Sequence, residues 1–192
     1  MEIPQDKAER IRSVLQSGAV KVDFGVEKVR GFTGKMQEVP YVEYVITMRC
    51  YSDTDERKCA EKCGGSAECI TSCLNEACDR EEKEVRKKFE EAAMGNISAV
   101  LGNVKGAEMV VKDVKLISMS REDFNTTVVA RVYFIPSMMG AFFVAGLYYQ
   151  LMCMAKKGDV KHCLEVHTSI IQGCFEKQSV EEIKRCITDS IR

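Results

Sequence analysis

The chain has 192 residues, 28 basic and 29 acidic side chains and a net charge of −1. That balance leaves no electrostatic footprint for phosphate and excludes a nucleic-acid partner held by bulk charge. Hydrophobic residues make up 45% and charged residues 30%, the composition of a globular domain and not of a disordered one. The length suits a single domain over 1–192.

From the amino terminus, Ala8, Ile11, Val14 and Leu15 fall at helical spacing and predict an amphipathic helix over Asp6 to Gln16. This segment has no apolar core of the kind a secretory signal carries. Val20 to Phe32 alternates through Val20, Val22, Phe24 and Val26, and Tyr41 to Tyr51 is β-branched and aromatic. Thr33-Gly34-Lys35 joins these runs as a turn, with Pro40 expected to open the second strand. A charged, cysteine-rich stretch runs from Ser52 to Asp79, broken at Gly64-Gly65. A polar helix is predicted from Arg80 to Ala93, with Glu84 and Lys88 at i, i+4. Two further strands, Met109 to Met119 and Thr126 to Ile135, turn at Ser120-Arg121-Glu122-Asp123 and end before Pro136. Helical segments follow over Met138 to Ala155, Asp159 to Phe175 and Val180 to Ile191, the last opened by a capping box of Ser179 and Glu182.

The expected fold is therefore α+β. An antiparallel sheet of about four strands, in two hairpins, is covered by helices and disulfide-clasped helical hairpins. Both halves give the order helix, two strands, cysteine helices. That order suggests an internal duplication with pseudo-repeats at 5–79 and 80–192.

Ten cysteines are far more than a core of this size needs. Cys59 and Cys63 share a helical face, as do Cys69 and Cys73. Folding about Gly64-Gly65, with Ser66 capping the second helix, sets Cys63 opposite Cys69 and Cys59 opposite Cys73. Cys153 and Cys163 are symmetric about the turn at Gly158, and Cys174 and Cys186 flank the turn near Ser179. Cys50 and Cys78 remain and complete five pairs. The competing reading assigns Cys59, Cys63, Cys69 and Cys73 as thiolate ligands for zinc or an iron–sulfur cluster, or as redox thiols in the Cys59–Cys78 cluster. Neither a C-x2-C knuckle nor a redox C-x-x-C stands in the sequence. Cys163 and His167, at i, i+4, have a spacing that suits a shared metal but lack a third partner.

No Walker loop, dinucleotide-binding glycine pattern or nucleophile–base–orienter set is present, so no catalytic residue and no cofactor is assigned. Val132 to Ala155 carries no charge, and Lys156-Lys157 follows it. Its length could span a bilayer, but Pro136 divides it, and Tyr148, Tyr149 and Gln150 sit inside the helical part. A buried central helix is preferred over a membrane span. Met138, Gly140, Phe142, Phe143 and Leu147 are its candidate apolar interface. The functional expectation is a non-enzymatic, disulfide-stabilised structural or binding protein, with a protein partner or self-association. Its setting is extracellular, an envelope or virion, or the cytoplasm of a hyperthermophile or its virus. The alternatives are the metal or thiol protein above and a membrane-associated carrier of a small apolar ligand along the Met138–Ala155 helix.

Overall fold

A computed structural model describes residues 5–104, 106–157, 159–164, 168–177 and 179–191. Helix α1 (Gln5–Gln16) leads into strands β1 (Val20–Arg30) and β2 (Met36–Arg49). Helices α2 (Asp53–Cys63) and α3 (Ala67–Ala93) come next, then single turns α4 (Ser98–Leu101) and α5 (Ala107–Val110). Strands β3 (Val111–Glu122) and β4 (Asn125–Phe134) precede α6 (Met138–Lys157), α7 (Val160–Leu164), α8 (Thr168–Phe175) and α9 (Val180–Ser190). The fold is α+β, with one antiparallel sheet ordered β1-β2-β4-β3.

Local chemistry explains most boundaries. Ser52 caps α2 in a reciprocal box with Asp55, Ser66 caps α3 through the Cys69 N–H, and Ser179 caps α9 through the Glu182 N–H. Three of the boundaries that differ from the sequence expectation have a clear local cause. β2 begins at Met36, so Pro40 lies inside it, opposite Val26. Pairing of β2 with β4 starts only at Tyr41, and so the missing N–H of Pro40 deprives no ladder. The β3–β4 turn tightens onto Asp123, which takes φ +53°, a conformation that Asp tolerates. The cysteine-rich segment and the polar helix are one continuous helix, α3, because Leu74, Cys78, Val85, Phe89 and Ala92 keep a single apolar stripe across the polar run at Asp79-Arg80.

The two hairpins share a register. Asp23 opposes Glu43 as Asp113 opposes Tyr133. Likewise Phe24 opposes Val42 as Val114 opposes Val132, and Gly25 opposes Tyr41 as Lys115 opposes Arg131. The offset along the chain is constant through these pairs. β2 and β4 themselves meet with Val42 directly opposite Val132, which places a two-fold axis between them. Phe24, Val42, Val132 and Val114 therefore form one row across the sheet. The correspondence reaches the edges: Asp23 Oδ1 accepts the Phe24 N–H and Asp113 Oδ1 the Val114 N–H, each at 2.8 Å. Beyond Leu116 a bulge shifts β3 out of this symmetry.

One sheet face is covered. Over β1 and β2 the cover is α6, supported by α1 and α9. There Tyr148 sets its ring 5.6 Å from that of Phe24, and Val144, Ala145, Cys153 and Met154 are fully buried. α6 is thus a central helix, and no helix of the described residues is long and apolar enough to cross a membrane. Over β3 and β4 the cover is α3 with α4.

The ten cysteines stand in five pairs: Cys50–Cys78, Cys59–Cys73, Cys63–Cys69, Cys153–Cys163 and Cys174–Cys186. Their Cα separations of 4.9–5.7 Å suit bridging. These are the pairs that symmetry about the turns leads one to expect. Two of them clasp α2 to α3, whose shared surface is too thin to hold on packing alone. Cys50–Cys78 does something else and ties the end of β2 to the middle of α3.

Candidate functional site

With the sulfurs paired, Cys59, Cys63, Cys69 and Cys73 present no thiolate for a metal. Among the described residues no group of three or more His, Cys, Asp or Glu is placed to hold a metal ion. Cys163 is bonded to Cys153, and His167 lies outside the described residues. Of the candidate apolar interface, Gly140 is buried with its Cα against Ile135, where any Cβ would overlap the Ile135 carbonyl oxygen. Leu147 belongs to the core of the domain. The side chains of Met138, Phe142 and Phe143 lie outside the described residues.

The uncovered sheet face carries a polar cluster. The Arg131 guanidinium sits 4.3 Å from the Tyr41 ring centre and donates to Glu43 Oε1 at 2.8 Å and to the Tyr133 hydroxyl at 3.4 Å. Tyr133 in turn donates to Glu27 Oε2 at 2.5 Å. Burial, then the hydrogen bond to Glu27, raises the Tyr133 phenol above its ordinary range. These groups saturate one another and link three strands, which is a structural role.

The open space lies on the other face, between α3 and the β3–β4 half of the sheet. A groove of about 340 Å³ is floored by Tyr44, Ile46, Val114, Val128, Ala130 and Val132, roofed by Val85 and Phe89, and closed at one end by Val100 and Leu101. This volume falls within the roughly 300–1,000 Å³ of small-molecule sites. The floor on β4 runs from Thr126 to Val132, roughly 20 Å at the rise of a strand.

Side-chain size explains why the space exists on this half. The two-fold register sets Val114 where the other half has Phe24, and Ala130 where it has Pro40. Phe24 fills its side against Tyr148 and is buried. Val114 and Ala130 are smaller and line the space beneath α3. The strand pattern alone does not reveal this, since both halves alternate equally well; the signal is the residue pair across the symmetry axis.

Polar groups in the groove are few, and one of them, Thr126, is unusual. Thr126 is 6% exposed, and its Oγ1 is buried with no hydrogen-bond partner among the described residues. Directly across the ladder, Arg121 donates from Nη2 to Asp79 Oδ1 at 2.8 Å and pairs through Nε with Glu82 at 3.5 Å. Its Nη1 is left buried and unpartnered. Such atoms are rare in native proteins and call for an explanation. Further along, burial raises the Tyr44 phenol well above its ordinary range and keeps it neutral. At the mouth stand Glu81, Glu82 and Lys88.

Comparison of the chain with protein-family models, with curated proteins and with solved structures returned no match. The groove stands on its own chemistry: a mostly apolar lining with a few polar groups among it.

Proposed function

We propose that this is a non-enzymatic, disulfide-stabilised binding protein that receives a long-chain apolar molecule between α3 and the sheet. The observation that carries the reading is the groove itself, apolar along its length and left open by small residues where the symmetric position is filled. A folded domain gains by closing such space, since a cavity forfeits contacts in proportion to its volume. Retained space of this shape supports a ligand. The site differs from the carrier reading drawn from the sequence, because α6 is packed on most sides and α3 is not. Five disulfides support a setting that keeps them oxidised: outside the cell, in an envelope, or in a hyperthermophile interior. The absence of a nucleophile–base set in the sequence supports binding over catalysis.

The test is saturable binding of the fluorescent apolar probe N-phenylnaphthylamine to the oxidised protein, repeated with Ala130→Leu. The larger side chain fills the floor and is expected to abolish the fluorescence rise while leaving the melting temperature unchanged or higher. No saturable binding by the parent protein, or equal binding by Ala130→Leu, overturns the assignment. A specific turnover abolished by one polar substitution overturns the non-enzymatic reading.

A further inference from the structure

The β1–β2 hairpin outruns the rest of the sheet. β2 pairs with β4 only from Tyr41, so the last row that β4 shares is Gly25–Tyr41–Tyr133. Beyond that row β1 and β2 pair in the sheet only with each other, as far as Arg30 and Met36. The strand steps from Gly25 to Arg30 carry the turn roughly 17 Å past it. No residue from Lys28 to Glu38 is buried. The turn is nonetheless fixed: the Gly31 N–H donates to the Lys35 carbonyl at 2.7 Å, the Gly34 N–H donates to the Gly31 carbonyl at 3.0 Å, and Gly34 takes φ +80°. Phe32 and Thr33 therefore hold the two central positions. Turns favour Pro, Asn, Asp, Ser and Gly, and nothing in turn chemistry asks for a phenylalanine there. Phe32 is fully exposed at this apex, and Met36, in the pair that closes the turn, is 59% exposed.

Charge is distributed as unevenly as apolar surface. From Lys28 to Gln37 there are three cations, Lys28, Arg30 and Lys35, and no carboxylate, in a chain of net charge −1. All three are exposed, and among the described residues none of them makes an ion pair. The nearest carboxylates lie below the tip. Glu38 stands across the ladder from Lys28, and Glu27 is held by Tyr133 and Arg131. Arg30 and Lys35 are beyond both, at the turn itself.

An apex of one aromatic and one thioether, flanked in sequence by cations, matches the boundary layer of an anionic bilayer. There a phenylalanine ring leaves water without needing a shaped pocket, and each cation gains from the negative surface potential. A protein partner fits less well. A stable protein interface takes about 20–30 residues a side, and the arm offers only the stretch from Lys28 to Glu38.

We infer that the β1–β2 arm is a docking finger for an anionic lipid bilayer, with Phe32 and Met36 entering the headgroup boundary and Lys28, Arg30 and Lys35 lying against lipid phosphates. The inference stands on the arm alone and does not depend on what the groove holds.

The chain has no tryptophan, so Phe32→Trp places a single reporter at the apex, on a side chain whose full exposure means that the fold does not rest on it. Co-sedimentation with vesicles of phosphatidylcholine alone, and of equal parts phosphatidylcholine and phosphatidylglycerol, tests the inference. The protein is expected to bind the anionic vesicles in preference to the neutral ones and to come off them in high salt. Emission of Phe32→Trp is expected to move to shorter wavelength on binding. Phe32→Ala is expected to weaken binding about 10-fold, and Arg30→Ala and Lys35→Ala about 5-fold each. No binding to the anionic vesicles, equal binding to the neutral ones, unshifted emission on binding, or a Phe32→Ala variant that binds like the parent overturns the inference. Dimerisation of the parent protein that Phe32→Ala abolishes assigns the apex to a second copy of the chain and overturns it as well.

Discussion

The five disulfides close loops of different lengths, so their removal should not cost the same. Cys50–Cys78 spans 28 positions and Cys63–Cys69 spans 6. The chain-entropy relation gives about 3.6 kcal/mol for the first loop and about 2.2 kcal/mol for the second at 25 °C. The difference, about 1.4 kcal/mol, is a factor of ten in the folding constant. The bridge Cys59–Cys73 also encloses the shorter loop and already confines its ends, which lowers the worth of Cys63–Cys69 further. Alanine pairs at Cys50/Cys78 and at Cys63/Cys69 isolate the two terms. For a chain of this size each kcal/mol moves the melting temperature by about 2–4 °C. The expected losses are thus roughly 7–14 °C and roughly 4–9 °C. Guanidinium unfolding without reductant reads the same order, provided the slope against denaturant is shared. A Cys63/Cys69 variant as unstable as the Cys50/Cys78 variant, or a Cys50/Cys78 loss under about 1 kcal/mol, refutes the loop argument. Because Cys50 also borders the groove, its variant should bind the apolar probe more weakly, whereas the Cys63/Cys69 variant should not.

Three more outcomes follow from single side chains. Thr126→Val removes a buried hydroxyl that has no partner, so the empty protein should gain about 1 kcal/mol in chemical unfolding, the size of the desolvation penalty relieved. The Tyr44 phenol is raised by burial. A raised acid contributes stability that is present below its unfolded pKa, near 10, and is lost as pH climbs from there through the folded value. Tyr44→Phe should therefore lose less stability than the parent between pH 10 and pH 12, as read by urea midpoints across that range. Asp23 and Asp113 each occupy the following edge N–H, so Asp23→Ala with Asp113→Ala should expose both and shift the protein towards higher oligomers in size-exclusion chromatography, where each single variant shifts less.

Much of the architecture was legible because it is written in local signals. Alternation through Val20, Val22 and Phe24 gave β1, serine caps gave the starts of α3 and α9, and the spacing of Cys59, Cys63, Cys69 and Cys73 about Gly64-Gly65 gave the clasped hairpin. Errors arose where a local signal and a tertiary one disagree. Asp79-Arg80 looks like a boundary, yet the stripe from Leu74 to Ala92 continues through it, and packing against the sheet decides. Pro40 looks like a strand opening, yet β2 already pairs with β1 from Met36, and pairing with β4 begins only at Tyr41. The groove was not legible. It depends on small residues, Val114 and Ala130, lying beneath a helix far away in sequence. The uncharged run over Met138 to Ala155 drew attention to α6, and the same apolarity is what packs that helix shut.

The two-fold axis between Val42 and Val132 has an evolutionary reading that its geometry makes concrete. One half of the sheet, with Phe24 and α6, carries the burden of cohesion. The other half, with Val114 and α3, is fastened to the sheet by a covalent bond at Cys50–Cys78. A helix moored by sulfur does not have to be glued down by side chains along its length. The staple thereby releases the residues beneath it from selection for tight packing and leaves them free to vary with whatever lies in the space.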